Sequence, residues 1–397
     1  YGLNYIRPEV QYSTIFNDQT SIVTYTDLDR SCESIAKISP RDADAYRRFT
    51  EMSLGILPLL TSGLFVPPMP QGPFWALLDQ SSEGRLLMRY LQYSVLDVVK
   101  EWFENEKVII HLLKLASEAM TSPEVKGTGL VVFTMPAFVH TYPGGLPEGG
   151  SGVLVDALIR CLEAHGADLR ANSTVTKILV EGGTAVGVRL QDGEEIRAKR
   201  AVIGQIHPLL LERYFDDLDE TVAGNAGRVQ MAAFAIMAMH FALKEPPKYH
   251  AGGDGGQALL AGFAPSRLNE FRRIFDDFRY GTVASDPFAT AMVHSQHDSS
   301  RAPAGQAALT LFGFGPFDLD GDSANWDHRK EEMGNWLRHG YGSYVTNLTD
   351  DNIIAECFHT PLDVQRRSPS FQRGDVTGVG KYFHQIGGHR PTPELPQ

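Results

Sequence analysis

What this 397-residue sequence lacks removes several classes of chemistry. Cysteine is scarce: Cys32, Cys161 and Cys357 lie far apart and are odd in number. That pattern fits free thiols in a reducing compartment, and neither a disulfide framework nor a zinc site. Cations are in the minority, 36 Lys and Arg against 48 Asp and Glu, for a net charge of −12. Phosphate backbones need clustered cations, so nucleic acid is not expected as a partner. No run reaches the ~18–20 consecutive apolar residues that a membrane-spanning helix requires, and no leader peptide is visible. The expected location is the cytoplasm, with contact at a membrane surface as the alternative.

Catalytic signatures are equally thin. There is no GxSxG elbow to support a Ser-His-Asp hydrolase. His294, His297 and Asp298 come nearest to a ligand set, but HxxH at a strand end does not put two rings on one helical face, so no metal is expected. The GxGxxG turn that receives a dinucleotide pyrophosphate is absent. Gly127-Thr128-Gly129 and Gly378-Val379-Gly380 lack both the third glycine at its spacing and a following helix.

What is present is concentrated in residues 149–208. Gly149-Gly150 leads into an amphipathic helix whose apolar positions Val153, Leu154, Ala157, Leu158 and Leu162 recur every three to four residues, with Gly166 as its stop. Short strands are expected at 167–171 and 175–180. A hairpin should follow, with arms at 185–190 and 195–198 and an Asp192-Gly193 turn suited to positive φ. An apolar strand at 201–204, ending on Gly204, would close the unit.

In order, Gly149, Gly150, Gly152, Leu154, Ala157 and Leu158, then Val175 and Ile178, then Ala201, Val202, Ile203 and Pro208, resemble a segment of the phytoene desaturase and amine oxidase superfamily of FAD-dependent oxidoreductases. The resemblance extends to Ser39-Pro40-Arg41-Asp42-Ala43, where Ser39 reads as an N-cap and Pro40 as the first helical residue. It also takes in Thr360-Pro361-Leu362-Asp363, Gly374-Asp375-Val376, Gln385 and Arg390-Pro391, and more loosely Ser295 to Asp298 with Ala302-Pro303-Ala304-Gly305. It implies an α/β (α+β) two-domain fold: a Rossmann-like FAD domain, incomplete here, and a substrate domain of mixed sheet and helices. It also implies that this is a stretch of a longer frame, lacking about 60 residues in front and about 50 behind, and inactive by itself.

By the same resemblance FAD is the cofactor, held by Gly149, Gly150, Val175 and Gly204, with Val175 offering backbone atoms to the adenine. His140 and Tyr142, just before the glycines, are the catalytic candidates, as acid, base or ring wall. His207 is expected near the nucleotide. The implied reaction moves hydride between flavin and a small hydrophobic, isoprenoid-like substrate. The alternatives are an amine or other small-molecule flavin oxidase and a non-catalytic binding or scaffold protein of the same fold. Oligomeric state is unknown from sequence.

The organisation expected is discontinuous: residues 1–148 a helical first part of the substrate domain, 149–228 the central FAD segment, 229–371 the second part of the substrate domain, and 372–397 the start of the last FAD segment. Helices are expected at 41–60, 83–103, 105–120, 325–339 and 350–358, and strands at 21–25, 229–243 and 307–314. The proline-rich stretch 63–75 is either a buried connection or the mouth through which a greasy substrate enters.

Overall fold

A computed structural model describes residues 1–62 and 66–390. Positions 63–65 of the proline-rich stretch, and Pro391 with everything after it, lie outside the described residues.

Among the described residues, twelve strands occur in chain order: β1 (Tyr5–Ile6), β2 (Val10–Phe16), β3 (Ser21–Tyr25), β4 (Leu146–Pro147), β5 (Val175–Glu181), β6 (Thr184–Leu190), β7 (Glu195–Arg197), β8 (Ala235–Leu243), β9 (Leu260–Ala264), β10 (Ala289–Val293), β11 (Ala307–Gly315) and β12 (Ile353–His359). Seven form a mixed sheet in the order β12-β8-β11-β10-β9-β2-β3. All its neighbours pair antiparallel except β2 and β9, which run parallel. β5, β6 and β7 form a separate three-stranded sheet. This is the mixed α/β architecture expected.

The large sheet has two unlike faces. On one, Met237, Met239, Phe241, Leu309, Leu311 and Phe263 pack against Trp326, Met333, Leu337 and Tyr341 from the Asn325–His328 and Lys330–Gly342 helices, all of them buried. The other face carries the row His359, Ala238, Phe312, Thr290, Gly262 and Thr14, read across strands as directly opposed residues. The Glu106–Ser117 helix covers the β9-β2-β3 side of this second face. It is fixed there by His111, which bonds the hydroxyls of Thr14 at 2.9 Å and Thr24 at 2.8 Å, and by Lys114, whose ammonium lies 2.6 Å from Thr290 Oγ1. The half made by β12, β8, β11 and the end of β10 is left open.

Beside the sheet lies an aromatic core in which Phe234, Phe271, Phe275, Phe278, Phe288 and Phe314 meet ring to ring. The Pro40–Ser62 helix joins this core through Tyr46 and Phe49. It begins as expected, with Ser39 Oγ accepting from Asp42 N at 3.2 Å.

Several expectations are corrected. Residues 83–103 are two helices, Ser82–Gln92 and Val95–Trp102, because Ser94 forms a capping box with Asp97 and opens a new helix. Residues 325–339 are likewise broken at Arg329. Residues 350–358, expected helical, hold the edge strand β12, whose pairing with β8 outweighs local preference. The strand expected from 229 begins only at Ala235.

In residues 149–208, the Ser151–Ala164 helix, β5, the β6-β7 hairpin and its Gly193 turn (φ +92°) form as read, and Gly166 (φ +70°) follows the helix. Residues 167–171 and 201–204 are not strands. A strand needs a neighbour to take its backbone hydrogen bonds, and these segments have none among the described residues; Ile203 is 96% exposed.

Candidate functional site

The open half of the sheet is a wall of chemically mixed character. Because strand residues alternate between faces, β8 shows Ile236, Ala238 and His240 there while burying Met237, Met239 and Phe241 on the other side. Thr310 of β11 is opposed to His240 on one side and to Met292 of β10 on the other. Thr310 Oγ1 lies 3.1 Å from His240 Nδ1 and 2.9 Å from His294 Nε2, so one hydroxyl joins two imidazoles. The His359 ring stands edge-on to His240 at 5.6 Å.

Two hollows share this wall. The larger, about 550 Å³, runs from the sheet to the chain entering the Ser151–Ala164 helix and is lined by Leu146, Gly150, His240, Met292, His294 and Arg301 among others. The second, about 330 Å³, is almost wholly apolar, lies between β8 and the Pro361–Arg367 helix, and again includes His240. His240 therefore stands on the ridge between them. Burial holds both histidines toward the neutral form. His294 is pushed down to about 4, with Arg301 and the neighbouring rings adding to the effect, and His240 is also lowered.

The Gly149-Gly150 turn is tied to this wall. Gly149 donates its N–H to Asp298 Oδ2 at 2.8 Å. Gly150 (φ +104°) leaves room for the Arg301 side chain, since an added Cβ would sit 2.6 Å from its Nη1. Glycine is required here by both the left-handed backbone and the close approach.

The residues proposed from sequence are distributed unevenly. Gly150 lines the larger hollow, and Gly149 precedes it in the turn. Val175 opens β5, an edge strand, so one side of its backbone meets no other strand among the described residues. A polar cleft of about 330 Å³ lined by Thr174, Leu190 and Gln191 lies next to it. Gly204 lies in the unpaired segment against the Ile206 side chain. His207 is buried, with Nε2 2.6 Å from Gly378 O and Nδ1 accepting from Leu209 N. His140 uses both ring nitrogens internally, Nδ1 with Thr26 O at 3.0 Å and Nε2 with the Tyr46 hydroxyl at 3.1 Å. Tyr142 ends the Val131–Thr141 helix and is exposed. Neither His140 nor Tyr142 lines the larger hollow.

Sequence reasoning passed over His240, Thr310 and Arg301, and weighed His294 only as a metal ligand. One signal was available. In the run from Ile236 to Leu243, a histidine falls on the alternate positions otherwise filled by Ile236, Ala238 and Ala242, the mark of a strand face that is not fully buried.

Near the other end of the chain, Val66 and Met69 of the proline-rich stretch are exposed, while Trp75 packs edge-on against Phe383 at 5.6 Å. No helix among the described residues is long and apolar enough to cross a membrane.

Residues 33–211 match the family described as flavin containing amine oxidoreductase. One of the limonene dehydrogenase subunits of Castellaniella defragrans is 23% identical, over 98% of this chain and 74% of its own length. The zeta-carotene-forming phytoene desaturase of Myxococcus xanthus is 22% identical over 98% of this chain and 72% of its own. A putrescine oxidase redesigned in cofactor binding superposes with a TM-score of 0.58, at 12% identity, over 100% of this chain and 75% of that one.

Proposed function

We propose that this chain, which belongs to the phytoene desaturase and amine oxidase superfamily of FAD-dependent oxidoreductases, holds an apolar, isoprenoid-like substrate on the open half of its seven-stranded sheet while hydride passes between substrate and flavin. The observation that carries this reading is the half-covered sheet face. A sheet that buries most of one side and leaves a large part of the other to solvent, with Ile236, Ala238, Phe312 and Met292 on it, has apolar surface available for a ligand.

FAD, when bound, accepts hydride on its own ring, so the protein's tasks are to bind, orient and exclude water. The residues present fit the group. The Gly149-Gly150 turn offers backbone without a Cβ, with Gly150 lining the larger hollow, and Val175 offers a free strand edge beside a polar cleft. His240, held toward the neutral form and joined through Thr310 to His294, is a titratable side chain shared by both hollows and able to give or take a proton there. His140 would serve by fixing the Val131–Thr141 helix against Thr26 and Tyr46. The exposed apolar residues Val66, Met69 and Leu77 support an entry route for a lipid-like substrate from a membrane surface.

The test is anaerobic. Flavin-loaded protein mixed with limonene, phytoene or a short isoprenoid should lose its visible flavin absorbance, and putrescine should leave it unchanged. Bleaching by the amine alone would sink the reading. In the same preparation Val175→Pro, which removes an amide donor, should lose flavin on gel filtration while Val175→Ala retains it; equal retention would remove Val175 from the cofactor site.

A further inference from the structure

We propose that the substrate of the larger hollow is an apolar molecule ending in a carboxylate, received by Arg301 and His240. This rests on the reading that the open half of the sheet is the substrate surface, and it names the chemistry of what lies there.

Three observations carry it. The first is Arg301, whose guanidinium packs into the space left by the missing Cβ of Gly150 and lines the hollow; its backbone N–H bonds Asp298 O at 3.1 Å, but the guanidinium itself makes no hydrogen bond or ion pair among the described residues. Asp298, whose charge it feels, has its oxygens engaged by Gly149 N at 2.8 Å, Ser300 N at 3.0 Å and Ser300 Oγ at 2.6 Å. A guanidinium offers five donors in a planar fork that matches a carboxylate.

The second is the proton count around Thr310. Its hydroxyl has two ring partners and no third among the described residues, so it donates to one ring and accepts from the other. Only one of the two outer nitrogens, His240 Nε2 or His294 Nδ1, then carries the remaining proton. His294 Nδ1 is buried without a partner among the described residues, and an orphaned buried N–H is rarer than an orphaned acceptor. The positive charge of Arg301 acts on the same ring. Both effects leave His294 Nδ1 bare and put the proton on His240 Nε2, which makes that atom a hydrogen-bond donor at the hollow.

The third is the absence of an internal competitor. None of the described residues lining the hollow is Asp or Glu, and the rest of the wall is chiefly apolar, with Leu146, Pro147, Met292 and Phe312. Donors and a cation at one end and hydrocarbon along the side complement a chain with an acidic head. They do not complement a pure hydrocarbon, which would leave the Arg301 donors stranded on binding.

Flavin-loaded protein is titrated with geranic acid, with its methyl ester and with limonene, following binding by calorimetry and by perturbation of the flavin spectrum. The acid should bind at least about tenfold more tightly than the ester, the step expected for losing a hydrogen bond to a charged group. Arg301→Gln should collapse that preference without changing flavin content, Arg301→Lys should restore part of it, and His240→Phe should reduce it. Equal binding of acid and ester, with flavin reduction by limonene, overturns this proposal and leaves the substrate surface standing. Loss of flavin from Arg301→Gln also overturns it, because the guanidinium would then serve the cofactor. Failure of all three probes to bind or to reduce flavin overturns it together with the reading on which it rests.

Discussion

The seven-stranded sheet and the Ser151–Ala164 helix are both built from apolar residues at regular spacing, yet they end in opposite conditions. In the sheet, Met237, Phe241, Leu243 and Leu311 are buried to 3% exposure or less. On the helix, Leu154, Val155, Leu158 and Leu162 are 36 to 57% exposed, and only Ala157 of its apolar set is buried. Periodicity records which face of an element is apolar and says nothing about what covers it. The helix forms regardless, because its backbone hydrogen bonds lie within it. Residues 201–204, apolar in the same way, do not become a strand, because a strand's bonds lie in its neighbours.

The largest test of this contrast is Phe288→Ala. Phe288 is fully buried and meets Phe234, Phe271, Phe275 and Phe314. Truncation should cost about 3–5 kcal/mol, the transfer of the ring plus the cavity it leaves, read as a shift in the denaturation midpoint at constant slope. A cost below about 1 kcal/mol would mean that the aromatic cluster is as loosely held as the exposed helix.

A pH titration sharpens the comparison by isolating the covered half of the sheet. His111, between Thr14 and Thr24, is pushed by burial down to about 3 from an ordinary 6.5. The folded chain therefore refuses a proton that the unfolded chain accepts below pH 6.5. Its neutral ring contributes stability that is full above that pH and declines by about 1.4 kcal/mol per pH unit as the pH falls toward 3. His111→Gln should flatten this stretch of the stability curve, although it will also lower the plateau. An unchanged slope in the variant would assign the acid sensitivity to other groups.

Much of this organisation was readable and some was not, for one physical reason. Local signals were decisive: Ser39 before Pro40, the Asp192-Gly193 turn, Gly166 after its helix and the apolar run that holds β8 each name a conformation that the structure contains. Non-local outcomes were hidden. Whether residues 350–358 became helix or edge strand depended on β8, more than a hundred residues away. His240 and His294 meet only because β8, β11 and the end of β10 pair in one register, and no spacing in the sequence announces that. The glycines were legible because positive φ is a property of the residue itself, while the partner that explains Gly150, Arg301, comes from a distant turn.

The smallest expected effect is the most direct check on the comparison. Leu158 is 57% exposed on the apolar side of the Ser151–Ala164 helix. Leu158→Ala removes little buried surface and opens no cavity, and alanine is at least as good a helix former as leucine, so stability should change by no more than about 0.5 kcal/mol. A contiguous exposed apolar strip also drives association. The same substitution, or Leu158→Lys, should therefore sharpen the elution of the protein on gel filtration without moving its midpoint of unfolding. A loss of about 2 kcal/mol or more from Leu158→Ala, the range of buried-leucine truncations, would show that the helix face is covered in solution and that the contrast with the sheet does not hold.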